Sequence, residues 1–312
     1  MRLSNADTPD DMTDSDDVKM SASTTNRRLL LGAHCTTAGG LENAFSTGKA
    51  VGCDCLQIFV KNQRQWGAPP LTDDQIAAYK AEEDETGITP VVAHASYLLN
   101  LASPERATRD KSIRAMIDEL ERCEALGVSA LIFHPGSHLS ATVEAGIKHI
   151  AESLNEVHQR CAGYKTMILL ETTAGQGTCI GHRFEHLAAI MDRVAARERL
   201  GVCLDTCHVF TAGYDFRKVE QYDALMAELD NVISLAEVKC IHMNDSKREF
   251  GSRVDRHEHI GKGKIGKQGF ANFVNDPRWN GIPMILETPK GKDGRGTDLD
   301  KVNLKRLRAL IR

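Results

Sequence analysis

The 312-residue sequence predicts a single-domain α/β protein, a closed (β/α)8 barrel of the TIM type. Three observations carry this. Short apolar runs alternate with helical patterns eight times, the arrangement that joins parallel strands through helical crossovers. Six of the runs close on a single imidazole or carboxylate: VVAH on His94, LIFH on His134, ILLE on Glu171, VCLD on Asp205, CIH on His242 and ILE on Glu287. The gaps between these closing residues are 40, 37, 34, 37 and 45 positions, about one strand-plus-helix unit each. A doubly wound open sheet is the alternative, weakened because no Gly-x-Gly-x-x-Gly follows the first strand.

The elements follow in order. LLLGAH (29–34) reads as the first strand and LENAFSTGKAVG (41–52) as the first helix. CLQIFV (55–60) is the second strand, followed by the helical pattern DDQIAAYKAEEDETG (73–87). VVAH leads into SIRAMIDELERCEALG (112–127), apolar at three-to-four spacing and stopped by glycine. LIFH precedes TVEAGIKHIAESLNEVHQRCAG (142–163), and ILLE precedes RFEHLAAIMDRVAARERLG (183–201). VCLD precedes YDALMAELDNVIS (222–234). CIH opens a long, basic, Gly-rich stretch before QGFANFVND (268–276), and ILE comes before a last helix in VNLKRLRALIR (302–312).

Charge separates a tail from this domain. Residues 1–26 hold six aspartates against Arg2 and Lys19, while 27–312 balance at 37 acidic and 37 basic residues. The tail is rich in Asp, Ser and Thr and poor in large apolar groups, so it is expected to be disordered. It has neither the apolar core of a secretory signal nor the Arg-rich character of a transit peptide. No stretch reaches the roughly 18 apolar residues of a membrane span. Nine scattered cysteines form no disulfide framework, which predicts small core residues in a reducing compartment.

In a barrel the C-terminal strand ends open on one face, so the six closing residues would meet there. His208, just past VCLD, and Asp255 and His257 in the loop after CIH join them. Five imidazoles and four carboxylates cannot share a cleft uncompensated, because the carboxylates alone would repel one another. Divalent cations solve this. Nine groups suit two or three ions, and a histidine-rich set favours zinc over magnesium or calcium. Water at an open position would ionise near neutral pH. The remaining histidines (34, 138, 149, 158, 182, 186 and 259) are assigned structural or supporting roles.

HASYLLNL, FHPGSH, ETTAGQG, LDTCHVFTAGYD, HMNDSK, DRHEHIGKGKIG and LETP together resemble the endonuclease IV family of abasic-site endonucleases, over nearly all of residues 29–290. The resemblance implies a TIM barrel with three zinc ions; sites built from nitrogen and oxygen ligands can also take manganese. It implies that His94, His134 and Glu171 hold one ion. Glu171, also the catalytic carboxylate, bridges to a second ion held by Asp205, His242 and Glu287. His208, Asp255 and His257 hold the third. Arg64, Tyr97 and Leu98 are the implied DNA contacts, entering at the lesion.

The implied activity is that of a deoxyribonuclease IV of the phage-T4-induced type, a phosphodiester hydrolase of base excision repair. It cuts 5′ to an abasic site, leaving a 3′-hydroxyl and a 5′-deoxyribose phosphate, and trims blocked 3′ ends. The expected partner is damaged double-stranded DNA. A monomer without membrane association is expected, cytoplasmic and nucleoid-associated in a bacterium or in a DNA-containing compartment of a eukaryote. Basic residues concentrated over 239–267, with Lys61 and Arg64, are expected on the DNA face. Two departures from the family pattern, Thr172 for Asn and Ala102 for Gly, are expected to flank the site without touching a ligand. The rival reading is a metal-dependent sugar isomerase or epimerase of the same barrel type. A protein that binds damaged DNA around structural zinc is the non-enzymatic one.

Overall fold

The structure is a computed structural model and describes residues 29–312. The expected disordered tail, residues 1–26, lies outside them. Eight parallel strands close on themselves. They are β1 (Leu30–His34), β2 (Cys55–Ile58), β3 (Val91–His94), β4 (Ala130–Phe133), β5 (Met167–Glu171), β6 (Leu200–Asp205), β7 (Val238–His242) and β10 (Pro283–Leu286). Closure comes from β10 pairing with both β1 and β7. Helices α1 (Asn43–Val51), α2 (Asp73–Thr86), α3 (Arg106–Leu126), α4 (Val143–Arg160), α5 (Phe184–Met191), α7 (Val219–Val232), α8 (Gly266–Val274) and α9 (Leu299–Arg308) occupy the predicted places. This is the barrel the alternation predicts, not an open doubly wound sheet.

Three differences have local causes. The helix expected over 183–201 stops at Met191, and a 3-10 turn at Arg197–Arg199 leads directly into β6. A short helix, α6 (Thr206–Ala212), starts directly at the end of β6 and is capped by Asp205, whose Oδ1 accepts from His208 N at 2.8 Å. The two-residue strands β8 (Asp245–Ser246) and β9 (His257–Glu258) pair as a hairpin within the basic stretch.

Strand side chains alternate between the two faces of the sheet, and the protein fills the two sides separately. Leu31, Ala93, Leu131, Leu170, Leu204, Ile241 and Leu286 pack outward against the helices. Leu30, Cys55, Val92, Ala130, Ile132, Leu169, Cys203, Cys240 and Ile285 fill the barrel interior. At Gly32, paired with Cys55, any Cβ would lie 2.0 Å from the Cys55 carbonyl oxygen, so glycine is required. All nine cysteines are free and eight are buried, as expected of small core residues. No helix among the described residues is long and apolar enough to cross a membrane.

One buried histidine on a barrel helix gives the fold a pH dependence. His158 on α4 is 6% exposed, and neither ring nitrogen has a hydrogen-bond partner. Burial, aided by Arg199, lowers its pKa to about 4. The unfolded value is about 6.5, so the stabilising contribution is complete above that pH and is lost as pH falls towards 4. Urea unfolding between pH 4 and 7 should show stability falling on acidification, with a shallower fall in His158→Leu. Equal slopes would exclude His158 as a source.

Candidate metal centre

Period-two alternation aims the site. Each closing residue lies two positions beyond an interior residue: His94 after Val92, His134 after Ile132, Glu171 after Leu169, Asp205 after Cys203, His242 after Cys240 and Glu287 after Ile285. All six therefore point into the C-terminal mouth, where the loops add His208, Asp255 and His257. His134 and Glu287 sit one residue past their strands.

Glu171 is the hub. Its Oε2 lies 3.0 Å from both His94 Nε2 and His134 Nε2. Its Oε1 lies 2.9 Å from His242 Nδ1 and 3.4 Å from His208 Nδ1. Burial opposes its ionisation, but His134 and His242 outweigh burial and hold the carboxyl well below its usual range. Burial likewise opposes charge on His242, and Glu287 and Glu171 outweigh it to raise that imidazole well above its ordinary value. At Glu287 burial is again overcome, chiefly by His242, and the pKa falls to about 2.

The donor atoms fall into overlapping groups. His94, His134 and Glu171 form one; Glu171, Asp205, His242 and Glu287 a second; His208, Asp255 and His257 a third. Within each, one ligand atom per residue lies within 4.8 Å of the others. Four of the imidazoles have one nitrogen tied to the protein and the other turned towards the acids, the arrangement that prepares a histidine for a cation. His94 Nδ1 donates to Ala95 O (2.8 Å) and His208 Nδ1 to Thr172 O (2.8 Å). His257 Nδ1 donates to Glu287 O (3.2 Å), and His242 Nε2 to Gln57 Oε1 (2.7 Å). His257 Nε2 is buried with no hydrogen-bond partner, although Asp255 Oδ1 lies 3.2 Å away. These residues fit several divalent cations. Cys203 and Cys240 also approach His242, and Cys207 approaches Asp205 and His257. Burial raises the Cys203 thiol well above its usual value and pushes Cys207 up to about 12. Neutral thiols bind cations more weakly than imidazole or carboxylate groups, which makes the N/O groups the stronger candidates.

Several site residues escaped the sequence reading. Gln57, fully buried in β2, donates to Glu287 Oε1 (2.6 Å) and to His34 Nδ1 (2.9 Å) as well as accepting from His242. Asn244 donates to Asp205 Oδ2 (2.7 Å) and accepts from Glu287 N (2.8 Å). His34 does close β1 in the same way as the other strands. Gln57 was masked by the apolar residues that follow it in CLQIFV.

One expectation about neighbours needs correction. Thr172 does touch candidate ligands: its carbonyl accepts from His208, and its Oγ1 accepts from Asp205 N at 2.9 Å. The strand-to-loop turn after β5 folds back over α6, which a linear reading of ETT does not reveal. Ala102, buried beside Gly136, contacts none of the nine. There Asn100 ties the two loops by accepting from Ser137 N and Ala102 N and donating to Ser137 O.

Lys61 is not on an exposed DNA face. Its side chain is 2% exposed and pairs with Asp118 (2.8 Å) and Glu119 (3.2 Å), because the loop after β2 folds it against α3. Lys239 sits near the start of β7, away from the mouth, and donates to Ala236 O. Arg64 and Tyr97 are exposed and Leu98 half-buried. The Tyr97 ring stands 5.3 Å from that of His94 and 5.9 Å from that of His134. It lines a groove of about 390 Å³ with His134, His208, Asp255, Arg256 and His257.

A closed parallel barrel with overlapping imidazole–carboxylate groups at its C-terminal mouth defines the class: a TIM-barrel protein with a site suited to several metal ions. The family model described as Xylose isomerase-like TIM barrel matches residues 45–310. A protein named "Probable endonuclease 4" from Chloroflexus aggregans is 51% identical over 281 residues, covering 90% of this chain and 97% of the relative. Endonuclease IV from Thermus thermophilus superposes with a TM-score of 0.79 at 36% identity, over 90% of this chain and 98% of that one. The chain belongs to the endonuclease IV family. A D-tagatose 3-epimerase-like protein (TM-score 0.66, 19% identity, 90% and 96% covered) shares the fold.

The basic loop is moored by one carboxylate. Asp245, fully buried, accepts from the backbone of Ser246 (2.8 Å), Gly261 (2.9 Å), Gly263 (3.0 Å) and Ile265 (3.0 Å). Replacing Asp245 with Ala should orphan these donors, at about 1–3 kcal/mol for each that stays buried. Hydrogen exchange over 259–265 is expected to accelerate at least tenfold. Unchanged protection there would show that the loop is held by other contacts.

Proposed function

We propose that this chain is a metal-dependent DNA repair endonuclease that hydrolyses the phosphodiester 5′ to an abasic site, leaving a 3′-hydroxyl and a 5′-deoxyribose phosphate. The observation that carries the reading is the Glu171 hub, shared by imidazoles beneath the exposed Tyr97 ring. Family membership at 51% identity supports it over a sugar epimerase, whose likeness at 19% extends to the fold alone. Closed structural zinc sites are typically Cys-rich, and none of these nine residues is a cysteine, which argues against a binding-only protein.

Three zinc ions fit the three donor groups, with Glu171 shared between the first two. When bound, such ions lower the pKa of water and stabilise charge on the phosphoryl and leaving oxygens. The protein's own residues supply the rest. Gln57, Ala95 O, Thr172 O and Glu287 O hold the imidazoles in one tautomer and orientation. Tyr97 and Leu98 take up the space of the missing base, and Arg64 with the exposed Lys247, Arg248, Lys262 and Lys264 meets the phosphates. A damaged nucleotide leaves its stack at least cost, which adds selectivity. The same hydrolysis at a strand end accounts for trimming of blocked 3′ termini.

A duplex containing one tetrahydrofuran abasic analogue tests this. A single nick on its 5′ side, lost with chelator, is expected; binding without cleavage by the metal-loaded protein would sink the enzymatic reading. His134→Ala should abolish nicking. Tyr97→Ala should weaken binding to the lesion about tenfold, since stacking is worth about 1–3 kcal/mol. Unaltered lesion binding would remove Tyr97 from the contact set.

A further inference from the structure

A buried ionic cluster lies behind the two loops that carry Arg64 and Tyr97. Lys61 Nζ donates to Trp66 O (3.1 Å) and Ala115 O (3.4 Å) besides pairing with Asp118 and Glu119. Arg122 Nη2 donates to Ala68 O and Pro69 O (2.8 Å each) and to Asp118 Oδ1 (3.1 Å). Glu119, 1% exposed, also accepts from Ser96 N on both oxygens (3.3 and 3.2 Å). Ser96 then joins the loops directly: its Oγ donates to Gln63 O at 2.6 Å and accepts from Leu98 N at 3.2 Å. One face of α3 thus holds the loop 61–69 and the turn 96–98 against each other.

Two acids and two bases cancel in charge, yet their desolvation makes such a cluster a weak source of stability; apolar replacements are often as stable. What apolar groups cannot supply is a set of directed bonds to four backbone groups on two loops: Trp66 O, Ala68 O, Pro69 O and Ser96 N. We infer that the Lys61–Glu119 pair is a positioning device, setting the separation of Arg64 from Tyr97 and Leu98 so that both loops meet one lesion together. The substrate assignment rests on the proposed function; the mechanical coupling does not. Preset loops spare the ordering cost that binding would otherwise incur.

The test uses the full chain with Glu119→Gln, and Lys61→Met/Glu119→Leu as the charge-free variant. Amide exchange should rise at least tenfold in 62–66 and in 96–98 together. KM for the tetrahydrofuran duplex should rise at least fivefold, with kcat and metal content per chain within twofold of the parent. Exchange rising in one segment only, or in neither, overturns the coupling. So does a loss of kcat and metal at unchanged KM, which would make the pair a support of the metal centre. If both variants fail to fold, the pair maintains the fold and the inference falls. An unmodified protein that leaves the abasic duplex uncut refutes the proposed function, while exchange still decides the coupling.

Discussion

The burial of the Glu171 carboxylate is the constraint on which the mouth of this barrel depends. A bare carboxylate in an apolar interior costs several kcal/mol or more. Here imidazoles from β3, β7, the end of β4 and α6 converge on its two oxygens. Elements separated by dozens of residues can meet at one atom pair only because the sheet closes. Closure and compensation are thus mutually dependent: the barrel brings the imidazoles to the acid, and the imidazoles make the acid tolerable at the barrel's end.

The surrounding polar residues extend that logic outwards. Gln57 and Asn244 carry no charge, yet between them they contact Asp205, Glu287 and His242. Burial, the largest influence on His34, lowers its pKa to about 3, so it accepts the Gln57 amide as a neutral ring. Each hydrogen bond removes an alternative orientation before any ligand arrives, which is what a cation site held by flexible side chains needs. Farther out, Asp245 gathers the Gly-rich loop by its backbone donors and leaves Lys262 and Lys264 exposed. The loop's acceptor lies within its own hairpin, so its basic side chains are presented without being consumed as structural partners, Lys264 excepted, which meets Glu249.

The strands were legible because a parallel barrel strand is short, apolar and ended by a turn, and because period-two alternation assigns each strand-end residue to the interior. Six of the nine clustered residues could be picked out for the same reason: a polar group at the end of a buried strand is expensive enough to need a purpose. His208, Asp255 and His257 were read from the segments that follow. Helix boundaries were less legible where helix and strand run together without a breaker, as at Asp205, which ends β6 and caps α6 in one residue. Lys61 was misread because a lysine beside arginine in a loop looks like a surface charge. Only the approach of Asp118 and Glu119, more than 50 positions away, makes it a buried one.

The amino-acid order alone determined the alternation of elements, the residues at the strand ends and the family motifs, since each is a property of local spacing. Only the tertiary structure decided which nitrogen of each histidine faces the acids, that Gln57 and Asn244 belong to the site, and that Thr172 touches two of its members. These depend on directed bonds between groups remote in sequence, and spacing along a chain carries no information about direction in space.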